Sequence, residues 1–163
     1  MKTRRWCGAV AAGVMLGVFA TAAPARAQAP ESETVAQRAV VQELFDAMRA
    51  GDSVRIRAVF HPEMRYLMTS DVGPDGVARL RATPLDGFVT SVGTKRAEAV
   101  DERIFNPKVL VDGTLASVWV DYSLYVGTRF IHCGVDVFHV AKVGETWKIA
   151  ALTDTRRTTG CTP

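Results

Sequence analysis

The sequence predicts an α+β domain whose helices pack on one face of a strongly curved, mostly antiparallel sheet. Three observations predict it: apolar stripes of helical period near residues 41–60, a proline-led helix start at residue 84, and a change to period two from Val100 onward. In the first helix Val41, Leu44, Phe45 and Met48 fall at i, i+3, i+4 and i+7, with Ser32 as a capping hydroxyl and Gly51 as the stop. Asp52 caps a second, shorter helix through Ile56, Val59 and Phe60, and His61-Pro62 ends it. Residues 64–69 and 77–82 read as short strands around a turn-rich loop. Thr83-Pro84-Leu85-Asp86 then supplies a capping hydroxyl, a proline at the first helical position and an acid in the first turn. Leu85, Phe88, Val89 and Val92 form the third stripe, closed by Gly93. Four extended segments follow, at 102–111, 114–126, 129–143 and 146 to about 156. Asp112-Gly113, Gly127-Thr128 and Gly144-Glu145 suit the tight turns between them.

The N-terminus reads as an export signal. Lys2, Arg4 and Arg5 precede an apolar run over residues 8–20, and Ala25-Arg26-Ala27 or Ala27-Gln28-Ala29 offers a small-residue cleavage site. The run is shorter than the roughly 20 residues a membrane helix needs. Residues 1–27 are therefore expected to leave, and a single domain over 28–163 to reach the periplasm or the outside, with no membrane attachment afterwards. The whole chain holds 20 Lys and Arg against 17 Asp and Glu. Lys2, Arg4, Arg5 and Arg26 leave with the signal and no acid does, so the mature domain is near neutral. That excludes a basic nucleic-acid footprint and a polybasic membrane patch. Cys7 leaves as well, and only Cys133 and Cys161 remain. In an oxidising compartment this pair suggests a disulfide pinning the C-terminal tail to the sheet; free buried thiols and a catalytic thiol are the other readings.

Two-residue turns would pair Tyr125 with Phe130, Ser123 with His132, Asp121 with Gly134 and Trp119 with Asp136, and in the next hairpin Phe138 with Ala151 and Val140 with Ile149. One face then carries Trp119, Asp121, Ser123, Tyr125, Phe130, His132, Asp136, Phe138, Trp147 and Ile149. The other carries Val118, Val120, Tyr122, Leu124, Ile131, Cys133, Val135 and Val137. A slip of one residue would exchange the faces of one strand relative to its neighbour. The first face mixes aromatics with ionisable groups, the composition of a pocket for a small apolar or aromatic ligand. Trp119, Tyr125, Phe130 and Phe138 are its expected walls, and Tyr66 can reach it from the first strand. His132, Asp136 and Asp121 are the candidates for acid–base catalysis; contact with a ligand and structural hydrogen bonding are the competing roles. His132 and Asp136 lie about 13 Å apart along one strand, too far to bond each other directly. His61, His132 and Asp136 have no spacing that converges on a metal, and no cofactor is expected. Arg103 and Asp154-Thr155-Arg156-Arg157 offer arginines for an acidic ligand group, or only ion pairs at a solvated sheet end. The smoother aliphatic face suits a homodimer formed through the sheet. No phosphate-binding loop, nucleophile elbow or metalloprotease helix occurs.

Residues 115–122, Leu-Ala-Ser-Val-Trp-Val-Asp-Tyr, with His132-Cys133-Gly134-Val135-Asp136-Val137-Phe138 and Trp147-Lys148-Ile149, resemble the nuclear transport factor 2-like superfamily. Within it the chain is most similar to exported bacterial proteins of the "putative lumazine-binding" type, and more distantly to the SnoaL-like polyketide cyclases. The resemblance covers the mature chain, including the opening helix pair and His61-Pro62. It implies a cone in which a curved sheet wraps over helices, a cavity at the wide end, and frequent dimerisation through the sheet. It also implies a range of functions: cofactor-independent isomerases, dehydratases and cyclases, and non-catalytic binding or association domains.

Overall fold

The apolar stripes form helices where the periodicity places them. In the computed structural model, which describes residues 34–161, α1 (Val35–Ala50) buries Val41, Leu44, Phe45 and Met48. Its N-cap is Thr34; the expected Ser32 cap and the expected signal peptide and leader lie outside the described residues. Gly51 takes a left-handed φ of 63° and returns its N–H to the last carbonyls of the helix. Asp52 caps α2 (Ser53–Val59) as expected, accepting from the N–H groups of Val54 and Arg55. α3 (Leu85–Val92) differs at its start. The preceding strand runs through Pro84, so Pro84 itself holds the cap position and the Thr83 hydroxyl does not cap.

The six strands are β1 (Tyr66–Val72), β2 (Ala78–Pro84), β3 (Val100–Asp112), β4 (Leu115–Val126), β5 (Arg129–Val143) and β6 (Thr146–Arg156). They form one sheet in the order β2-β1-β6-β5-β4-β3. Every pairing is antiparallel except β1 with β6, which is parallel and brings the first strand beside the last. The helices fill one face of this sheet. Phe45 of α1 packs edge-on against Phe138 of β5 at 5.9 Å, and Phe60 meets Phe88 of α3 at 6.2 Å.

Two bulges set which side chains face the helices. At the β4–β5 turn Tyr125 pairs with Phe130 as the turn length requires, but Leu124 pairs with His132, leaving Ile131 as the extra residue. Beyond it Tyr122 lies opposite Gly134, Val120 opposite Asp136 and Val118 opposite Phe138. The expected partners of His132, Gly134 and Asp136 are thus each corrected by one residue. A second bulge at Ala150 keeps the Val140–Ile149 pair and moves Phe138 from Ala151 to Leu152. The inner face therefore combines Val118, Val120, Tyr122 and Leu124 of β4 with His132, Gly134, Asp136 and Phe138 of β5. Trp119 and Asp121 turn to the outer face with Cys133.

Candidate functional site

The site forms where five strands place polar side chains on the inner face. Glu102 of β3 lies opposite Leu124, which lies opposite His132 of β5. Asp136 lies opposite Asp154 of β6, and Asp154 beside Thr69 of β1. Gly134 is the gap in this row. A side chain there would collide with the carbonyl oxygen of Thr155 and the ring of Tyr122. Without one, Tyr122 crosses strand β5 and donates its hydroxyl to the Thr155 carbonyl on β6 at 2.9 Å.

These groups line two adjoining spaces. The outer one, about 250 Å³, is bounded by Phe88, Val92, Val100, Leu124 and Met48, with Glu102, Tyr122, His132, Asp154 and Arg156 on its polar side. The inner one, about 60 Å³, reaches Asp136, Thr69 and Leu152 and shares Glu102, Asp154, Arg156, Phe88 and Met48 with the first. A larger groove of about 400 Å³ runs between α1 and strands β3 and β4. Its lining is apolar apart from Arg38 and Gln42, so it brings together no groups for chemistry. The smaller pair of spaces is the candidate site because ionisable groups converge there.

The electrostatics follow from burial. Asp136 is 3 % exposed, and its Oδ2 has no hydrogen-bond donor among the described residues. The carboxyl within reach is that of Glu102, and two carboxyl groups bond only when one carries a proton. Burial first, then the charge and hydrogen bond of Glu102, hold the Asp136 carboxyl well above the usual carboxylate range. Burial likewise pushes Glu102 up to about 7, against the hydrogen bond from Asp136 and with the charge of Asp154. Near neutral pH the two behave as one pair holding a proton. Asp154 is satisfied differently: Thr69 Oγ1 donates to it at 2.6 Å and Arg156 Nε at 2.7 Å. Burial is the largest single influence on Arg156 and opposes its charge, but the bond to Asp154 and the charges of Asp154, Tyr122 and Glu102 together outweigh it, and the guanidinium is stabilised overall. Burial, helped by the nearby Arg156, lowers the His132 pKa and favours the neutral ring. Burial and the surrounding acids raise that of Tyr122.

Of the residues expected from sequence, His132 and Asp136 reach the two spaces. Asp121 does not. The Ile131 bulge puts it on the outer face, where Asn106 Nδ2 donates to it at 3.0 Å. Trp119, 44 % exposed, shares that face. Tyr125 and Phe130 pack against each other at 5.7 Å with the Arg103 guanidinium 4.2 Å over Tyr125, away from both spaces. Phe138 is core, fully buried on Phe45. Tyr66 is 57 % exposed beside Pro62 and Asp86 at a separate surface pocket. Cys133 and Cys161 are joined as a disulfide with a Cα separation of 5.7 Å. Behind it, Arg157 exchanges both backbone hydrogen bonds with Cys133, which lays the tail along β5. Among the described residues no three His, Cys, Asp or Glu side chains gather as a metal site.

Sequence reasoning missed Glu102 and Asp154 as members of the site, and placed Tyr122 on the wrong face. Glu102 carried a signal: it interrupts the apolar alternation between Val100 and Ile104. Asp154 precedes the arginine that neutralises it by two residues, which puts both on one face of a strand.

Comparison with known proteins bears on the fold and the family. No curated protein sequence matches the chain. Among solved structures, a nuclear transport factor 2-like protein of unknown function from Shewanella baltica OS155 superposes with a TM-score of 0.55 at 17% identity, covering 78% of this chain and 96% of that one. A similar protein of unknown function from Silicibacter pomeroyi DSS-3 gives 0.56 at 18% identity, over 77% and 97%. One described as a putative dehydratase of the same fold family, from Streptomyces avermitilis, gives 0.57 at 14% identity, over 80% and 100%. At such identities the likeness establishes the fold, a nuclear transport factor 2-like cone. The family model described as putative lumazine-binding matches residues 32–153. The chain therefore belongs to the putative lumazine-binding family of the nuclear transport factor 2-like fold.

Proposed function

We propose that this is an exported domain that binds a small, largely apolar molecule in the space between α3 and the inner sheet face. The observation that carries this reading is the Glu102–Asp136 pair. A buried carboxyl, Asp136, and a partly buried one, Glu102, face a cavity without a cation dedicated to them. Such a pair costs stability, and a ligand with a polar end and an apolar body offsets that cost by completing the hydrogen bonds. The space of about 250 Å³ suits a compact ring compound and argues against a cone filled by its own side chains.

Ligand-detected NMR with a library of cyclic carbonyl and aromatic compounds tests it. Leu124→Trp, which fills the outer space, is expected to abolish the hits. Ala39→Trp, which fills the groove beside α1, leaves them. The reverse pattern would move the site to that groove. The proposal extends to a homodimer formed through the outer sheet face, where Trp119 is exposed; a monomer in sedimentation equilibrium would remove it.

A second reading is acid–base catalysis of the cyclase, isomerase or dehydratase type. It is favoured by the proton shared by Glu102 and Asp136, because Glu102 also lines the adjoining space that holds a neutral histidine. In this reading His132 and Asp136 keep the roles expected from sequence and Glu102 joins them. Turnover lost in Asp136→Asn while ligand affinity persists supports it.

A further inference from the structure

The hydrogen-bonding around Tyr122 decides which nitrogen of His132 carries the proton. Tyr122 Oη lies 2.9 Å from the Thr155 carbonyl oxygen and 3.1 Å from His132 Nδ1. A phenol has one proton, and a carbonyl can only accept. The Thr155 carbonyl is free for this bond because its expected ladder partner has another acceptor: the Val135 N–H donates to Thr155 Oγ1 at 3.1 Å. Tyr122 thus gives its proton to Thr155, and its oxygen can only accept from His132. The proton between them belongs to Nδ1. Tyr122 is 1 % exposed and its ring stacks edge-on to the imidazole at 5.6 Å, so neither ring swings away easily. The charged groups around the imidazole are Glu102 on β3 and Asp154 with Arg156 on β6, and the last two bond each other.

We propose that the Tyr122–Thr155 bond fixes His132 as the Nδ1–H tautomer, so that its Nε2 offers a lone pair to the cavity. The cavity then takes an uncharged ligand that gives an N–H or O–H to His132 and receives a hydrogen bond on a carbonyl-type oxygen from the Glu102–Asp136 pair. The second half rests on the reading of this cavity as a ligand site; the first does not. Tyr122 is here a positioning residue. It sets the direction of the hydrogen bond that His132 makes, and a mispaired donor and acceptor in a buried site is discriminated against strongly.

The test uses the mature protein, labelled with ¹⁵N in its histidines, and long-range ¹H–¹⁵N correlation at pH 7. The expected result is a protonated Nδ1 and an unprotonated Nε2 for His132. In Tyr122→Phe the oxygen that accepts from Nδ1 is gone, and the ring is expected to pass to the Nε2–H form that free imidazoles in water favour. An Nε2–H ring or an imidazolium in the wild type overturns the proposal without need of any variant. For the ligand, δ-valerolactam and N-methyl-δ-valerolactam are titrated against the same spectrum. The lactam with its N–H is expected to move the Nε2 resonance and to bind about tenfold more tightly, the value of one net hydrogen bond of about 1.4 kcal/mol. Equal binding of the two overturns the ligand half. Binding of neither overturns that half together with the reading it rests on, while the nitrogen shifts still decide the tautomer.

Discussion

Two spaces lie under the same sheet, and the larger is chemically the plainer. The groove between α1 and strands β3 and β4 is walled by Val35, Val41, Ile104, Val118 and Val120. The smaller pair of spaces near β5 and β6 holds Glu102, Asp136, Asp154, Arg156 and His132. Both halves draw on β3 and β4, and the polar one adds residues of β1, β2, β5 and β6. The difference is whether each inward position carries a hydrocarbon or a group that must be hydrogen-bonded, so volume alone does not locate chemistry. Apolar positions stabilise the fold at any pH. The carboxyl positions cost stability whenever they lose a proton.

The largest effect expected from this contrast is in the apolar half. Phe138 lies opposite Val118 and packs on Phe45. Phe138→Ala should cost about 3–5 kcal/mol in urea unfolding, equally at pH 5 and pH 7.5. A cost that changes with pH would show that the two halves are coupled through this ring. Next comes Gly134→Ala in the polar half. Its new methyl meets the Thr155 carbonyl and the Tyr122 ring, and overpacking of this kind costs about 1–3 kcal/mol. Tyr122 should lose its bond to β6 at the same time, seen as faster amide exchange around residues 155–157. Normal exchange there would mean that the strand absorbs the methyl by shifting elsewhere.

The smallest effect is a slope. Glu102 and Asp136 have folded-state pKa values above those of an unfolded chain, Glu102 at about 7. The folded protein therefore binds protons that the unfolded chain has released. The contribution of this pair to stability is greatest below about pH 4, falls as pH rises towards 7, and levels above the folded pKa values. The steepest possible fall is about 1.4 kcal/mol per pH unit for each proton. Asp136→Asn should flatten it and leave the protein at pH 7 no less stable than the wild type. A slope unchanged by Asp136→Asn and by Glu102→Gln would place the proton uptake in other groups.

Much of the fold was legible because each element is specified locally. Asp52 caps its helix, Gly51 ends the one before, and the turn residues set every hairpin tip where the alternation predicts it. The site was less legible because it depends on two single-residue bulges, at Ile131 and Ala150, that no propensity marks. Tyr125 still faces Phe130 across the turn, and one residue later the pairing has slipped. That slip sends Asp121 and Trp119 outward and brings Tyr122 beneath His132. His132, Gly134 and Asp136 stayed together through the slip because they share one strand and one parity. Glu102 and Asp154 join them only through pairings that the slip redefines.

The parallel contact between β1 and β6 has a kinetic consequence. Thr69 and Asp154, which bond across it, are 85 residues apart in the chain. The hairpins from β3 to β6 need only short closures, so the long one is the natural late event in folding. Until it forms, Asp154 lacks its threonine and the carboxyls behind it stand in water. Between about pH 5 and 7 the last step of folding is then also a protonation. A pH indicator in a refolding experiment should change colour with the slowest phase, after most of the strand signal has developed.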